Sequence, residues 1–99
     1  MNYPKFVVIS PKGMFLNFII DETDTIENFL GAYSVSKVKN HPVAFSNNSV
    51  QGEPNSIASK WIGKPFYGTL IVLDTNGKPF SDFDEAYAVI DEIYSIIFN

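Results

Sequence analysis

The tightest constraint on this chain is Leu70-Ile71-Val72-Leu73, four apolar residues in a row. Tyr67-Gly68-Thr69 precedes it, and Asp74 with the turn Thr75-Asn76-Gly77-Lys78 follows it. A short apolar run bounded by turn signals marks a strand buried on both faces. It predicts the centre of a sheet, and it leads directly into the C-terminal helix.

The remaining elements follow from local pattern. Phe6-Val7-Val8-Ile9 reads as a first strand and Met14 through Ile20 as a second. The short turn Pro11-Lys12-Gly13 between them makes the pair an antiparallel hairpin. Asp24-Thr25-Ile26-Glu27 matches a capping box, with Ile26, Phe29 and Leu30 on one face of a short helix that Gly31 stops. A helix of about two turns cannot persist alone, so it must pack on the sheet. Tyr33 to Lys39 alternates like a half-exposed strand, Asn40-His41-Pro42 turns the chain, and Val43-Ala44-Phe45 returns. Residues 47–68 are the least regular part, with one or two helical turns expected over residues 56–62 and Ile57, Ala58 and Trp61 inward. Asp82 and Glu85 form a second capping box at the start of the long helix. There Phe83, Ala86, Tyr87, Ile90, Ile93, Tyr94 and Ile97 recur at helical spacing, opposite Glu85, Ala88, Asp91, Glu92 and Ser95. The order β-β-α-β-β-(α)-β-α predicts an α+β domain over residues 1–99. Its mostly antiparallel sheet of about five strands carries both main helices on one face.

Composition narrows the function classes. The chain has 99 residues, 45% hydrophobic and 15% aromatic, which is enough apolar surface for one packed interior and no second core. Nine Phe, five Tyr and one Trp exceed what so small a core holds, so two or three aromatics should remain at the surface to meet partners. The net charge is -4 and there is no arginine, which argues against nucleic-acid binding through phosphates. No cysteine means no disulfide, thiolate metal site or cysteine nucleophile. The apolar patch after the N-terminus is too short for a secretion signal. No stretch reaches the roughly 18 apolar residues of a membrane span. The expectation is a cytoplasmic protein without membrane contact.

Residues with chemistry are few. His41 is the only histidine and lacks a nucleophile motif around it, so it reads as a solvated turn residue rather than a general base. The pairs Asp84–Asp91 and Glu85–Glu92 are seven apart, the spacing of a solvated helix face. No spacing typical of a metal site occurs, and no cofactor is expected. Gly52 and Gly63 lie beside proline-containing turns, and turn geometry accounts for them. Lys60, Lys64 and Lys78, with Trp61, Phe66 and Tyr67, interleave bases with aromatics. They form either a hydrophobic lid with lysines at its rim or a stacking surface for single-stranded bases. Asn55, after Pro54, either caps the following helical turn or contacts a ligand.

Three places give the chain a likeness to known proteins. They are the opening strand and short helix ending near Gly31, the segment Pro54-Asn55-Ser56-Ile57-Ala58, and Tyr67 to Val72 followed by Pro79-Phe80-Ser81-Asp82-Phe83 and an acidic helix. Here the chain resembles a family of small uncharacterised proteins of phages, plasmids and other bacterial mobile elements. The resemblance implies a cytoplasmic mobile-element protein and carries no activity.

The resulting expectation is a non-enzymatic protein-interaction domain. Residues 47–67, with Asn55, Lys60, Trp61, Lys64 and Tyr67 as contact residues, would meet an unidentified host or phage protein. The alternative is a single-stranded nucleic-acid module using Lys60, Trp61, Lys64 and Tyr67. A symmetric homodimer through an edge near Lys37 or Val43 is also open to such a chain.

Overall fold

Five strands form one antiparallel sheet in the computed structural model, which describes residues 3–98; Met1, Asn2 and Asn99 lie outside the described residues. The strands are β1 Lys5–Ser10, β2 Gly13–Phe18, β3 Tyr33–Val38, β4 His41–Ser46 and β5 Leu70–Val72. Their spatial order is β2-β1-β5-β4-β3. The apolar run is thus the middle strand: Val7 and Val43 both register with Val72, and Ile9 and Phe45 both register with Leu70. The protein is an α+β fold, with helices α1 Ile26–Leu30, α2 Ser56–Ile62 and α3 Phe83–Ile97.

The helices are not all on one side. Strand alternation divides the core into two layers. Val7, Ile9, Val43, Leu70 and Val72 face α2 and α3, where they meet Ala58, Trp61, Ala86, Val89 and Ile93. Phe6, Val8, Ala44, Ile71 and Leu73 face the other way, under Leu30 of α1. The expected single helical layer is therefore two. The central strand is apolar at every position, so both of its faces need cover, and α1 is the helix placed to shield the second.

Several local signals act one step from where the sequence pattern put them. The turn between β3 and β4 is made by Lys39 and Asn40, both at positive φ, as a tight two-residue hairpin turn requires. His41 and Pro42 consequently belong to β4. The capping box closes on Asp21 and Asp24 around a single 3-10 turn, Glu22–Asp24. The helix α1 then begins after Thr25, which makes no side-chain cap. At α3 the Asp82 carboxylate accepts from the Asp84 amide, two residues on rather than three. The buried stripe of α3 is Ala86, Val89 and Ile93, while Phe83, Tyr87 and Tyr94 are exposed. The apolar arc of α3 is wider than one sheet face can cover once α2 and Trp61 share that face, and the bulky aromatics are the part left outside.

Residues 47–68 are tied down by one side chain. Asn55 is fully buried. Its Nδ2 donates to the carbonyls of Ile9 and Gly68, both at 2.8 Å, and its Oδ1 accepts from the Ala58 amide at 3.0 Å. It therefore caps α2 and fastens that helix to the end of β1. Ser59 adds a second clasp, donating to the Asn55 carbonyl at 2.6 Å and accepting from the Phe66 amide at 2.8 Å. Gly63 ends α2 in the left-handed conformation, φ 90. Gly52 has a different reason: it is extended, and a Cβ there would meet the Gly68 Cα at 2.8 Å. That backbone approach, rather than turn geometry, requires a glycine.

Trp61 fills the space between α2, α3 and the sheet at zero exposure, and its Nε1–H has no hydrogen-bond partner among the described residues. Trp61→Ala should lower the stability by about 3–5 kcal/mol in denaturant melts. Trp61→Phe should cost clearly less, because it retains a ring and removes the unpaired donor. Asn55→Ala should cost about 2–4 kcal/mol, since three buried partners lose their bonds at once.

Candidate functional site

The surface that stands out is the β2 edge of the sheet. The strand reads Gly-Met-Phe-Leu-Asn-Phe, with no charge and no proline. Natural edge strands usually carry one or the other to block pairing with a further strand. The opposite edge, β3, does so: Lys37 lies in it and Lys39 directly after it.

The hydrogen-bond pattern shows what β2 offers. The Ile19 amide donates to the Pro4 carbonyl on the β1 side. Antiparallel alternation then turns the main-chain groups of Phe15 and Asn17 toward β1 and those of Met14, Leu16 and Phe18 outward. The next outward amide, Ile20, is already taken by the Asp24 carboxylate at 3.0 Å. Among the described residues, the outward amides and carbonyls of Met14, Leu16 and Phe18 have no such partner.

Aromatic rings border this edge on both faces. On one, Phe15 lies 6.4 Å from Phe29, which in turn meets the buried Phe6 edge-to-face at 5.6 Å. On the other, Phe18 stacks on Phe83 at 6.5 Å, and Phe83 on Tyr87 at 5.7 Å. Phe15, Phe18, Phe29, Phe83 and Tyr87 are each between 38% and 50% exposed, so their packing is half complete. Beneath Phe18 the Lys5 ammonium is buried, 5.8 Å from the ring centre and 3.1 Å from the Ser81 carbonyl to which it donates. This joins the start of β1 to the start of α3 and holds the Phe18–Phe83 stack in place.

Acids gather at the Phe18 end. Asp21, Glu22 and Asp24 form the turn after β2, and Asp82 and Asp84 flank Phe83. The hydroxyl and amide of Thr23, in that order of strength, donate to Asp21 and hold its carboxyl below the ordinary carboxylate range. The edge is thus apolar along its length and negative at one end.

The residues singled out in the 55–67 segment are dispersed. Asn55 and Trp61 are fully buried and present nothing to a partner. Trp61 therefore offers no face on which a base could stack, and the lid reading accounts for it. Lys60 is exposed and reaches the Ile97 carbonyl at 3.4 Å, bracing the end of α3. Tyr67 is exposed beside Pro54, with which it forms an isolated bridge. Lys64 is exposed at the mouth of a groove on the β3 side. His41 is not a solvated turn residue: its Nε2 lies 2.9 Å from Glu92 Oε2 and its ring 5.9 Å from that of Trp61, so it links β4 to α3. Val43 is buried in β4, inside the sheet, so neither it nor its strand is an edge.

No group of three potential metal ligands occurs among the described residues, and none of their helices is long and apolar enough to cross a membrane. No protein-family model matches the chain, and no curated protein or solved structure is significantly similar to it.

The signal for this edge was present in the sequence as an uncharged strand, but nothing local says which strand of a sheet lies outermost. One consequence is titratable. The Asp21 carboxyl should titrate below the usual value of about 3.9 in an NMR titration. Because its folded value is depressed, the turn is favoured above the unfolded value and loses that preference as pH falls through the folded one. Thr23→Val should move the Asp21 midpoint back up.

Proposed function

We propose that this is a non-enzymatic protein-interaction domain that binds an extended segment of another protein along the β2 edge. The segment adds a sixth strand next to β2, taking up the outward groups of Met14, Leu16 and Phe18. Its side chains alternate between the Phe15–Phe29 pair on one face and the Phe18–Phe83–Tyr87 stack on the other. Lysine or arginine at the end of the segment near Phe18 meets Asp21, Asp24, Asp82 and Asp84.

One observation carries this reading: of the two edge strands, β2 is the one without a charge or proline, and it is the one bordered by half-exposed aromatics on both faces. Main-chain pairing supplies affinity, and aromatic pockets supply selectivity. The resemblance to small proteins of phages and plasmids makes a host or phage protein the natural partner, by analogy alone. The contact region moves from residues 47–67 to β2 and α3, because the aromatics available for contact are there.

The test is selection of linear peptides from a random displayed library against the intact protein, followed by amide hydrogen exchange with the selected peptide. Enriched peptides should alternate apolar residues and carry a basic end. They should slow exchange at Met14, Leu16 and Phe18, and should bind Phe15→Lys at least about tenfold more weakly while that variant melts near the wild type. Failure to enrich any peptide, or binding that leaves those three amides unprotected, would overturn the proposal. Protection of the same amides by self-association alone would replace the partner with a second copy of the chain.

A further inference from the structure

We infer that the groove at the opposite edge of the sheet is a binding site for a small amphipathic carboxylate. It is separate from the β2 edge in every residue. The helices α2 and α3 cover the middle of their sheet face and meet the β3–β4 hairpin at its turn end, through His41 and Glu92, leaving the rest of β3 uncovered on that face. Ser36 and Val38 of β3, with Val43 and Phe45 of β4, therefore form one wall of a groove whose other wall is Ile62, the last residue of α2, with Lys64 and Phe66 just after it. It encloses about 520 Å³, within the range of small-molecule sites.

The lining has two parts. The floor is apolar: Val43 and Leu70 belong to the buried core, and Phe45 meets Phe66 edge-to-face at 6.3 Å, closing one end. Lys39 and Lys64 line the mouth and no acid lines the groove, while Lys37, alternating with Tyr33, carries its side chain on the other face of β3. In a protein with eleven acids against seven bases, that local excess of positive charge is the reverse of the overall balance. It is built from separate segments, with Lys39 held at φ 49 in the hairpin turn and Lys64 directly after the Gly63 cap.

This arrangement selects the ligand class. The floor takes a hydrocarbon body and the lysines take one anionic head. Two flexible ammonium groups, of Lys39 and Lys64, suit a carboxylate as point charges, without the bidentate grip that arginine would supply. Ser36 is the one uncharged polar side chain in the lining, so a ligand with several hydroxyl or amide groups would leave them unpaired in an apolar groove. A straight-chain acid about the length of decanoate satisfies both parts.

Decanoate and decanol are the probes, with the intact protein. Binding is read from the chemical shifts of Val43, Phe45, Phe66 and Leu70 and from the fluorescence of Trp61, next to Ile62. The expected result is saturable one-to-one binding of decanoate, at least about tenfold tighter than decanol and weakened about tenfold by Lys64→Glu. Lys39→Glu should weaken it further when combined with Lys64→Glu, and Lys37→Glu, on the other face of β3, should leave it unchanged. All three lysines are exposed, so these variants should melt like the wild type. Equal affinity for decanol and decanoate, indifference to Lys39→Glu and Lys64→Glu, or no saturable shift at those floor residues would overturn the assignment. Binding to vesicles of anionic phospholipid without uptake of free decanoate would overturn it too, in favour of a membrane surface.

Discussion

The fold depends on the pairing of β5 with two hairpins at once. β1–β2 and β3–β4 are each local, closed by short turns, and neither has a hydrogen bond to the other. Three residues of β5, registered against Val7–Ile9 on one side and Val43–Phe45 on the other, turn two hairpins into one sheet. Both faces of that strand are apolar, so the sheet is complete only when α1 covers one side and α2 with α3 covers the other. Two isolated hairpins would each be marginal in water. The central strand also comes late in the chain, which makes its pairing with β1 the costly long-range step in folding.

Asn55 solves the problem that this order creates. β4 ends beside the start of β5, with Phe45 in register with Leu70, so the segment between them must leave the sheet and return to the same end, delivering α2 on the way. A buried amide that bonds Ile9, Gly68 and Ala58 together anchors the start of α2 to the end of β1 and the approach to β5. The Gly52–Gly68 backbone approach and the Ser59 clasp complete the same junction. Residues expected from the sequence to meet a partner therefore serve as an internal brace.

The consequence for function is a molecule with two unlike ends. The helices cover the middle of the sheet and leave both outer strands incompletely dressed. At the β2 end the exposed material is aromatic and bordered by acids. At the β3 end it is a groove with lysines at its mouth. The separation of charge follows from the topology, since strands adjacent in sequence sit together at each end, and it makes the two ends chemically unlike.

Local pattern determined a good deal here. The apolar run announced a central strand because every position in it is uncharged and branched, and the Lys39–Asn40 region, Gly31, Gly63 and Asp82 marked breaks and caps to within a residue or two. Residues 56–62 were legible as α2 for the same reason, with Ala58 and Trp61 inward. What the chain could not disclose alone was arrangement. Whether Phe83, Tyr87 and Tyr94 turn inward depends on how much of α3 the sheet can cover after Trp61 has taken its place. Whether Val43 lies inside the sheet, and β2 outside, depends on where β5 inserts. Periodicity reports which residues share a face of their own element; it is silent on which element comes to lie against that face, because that is decided by contacts between residues far apart in the chain.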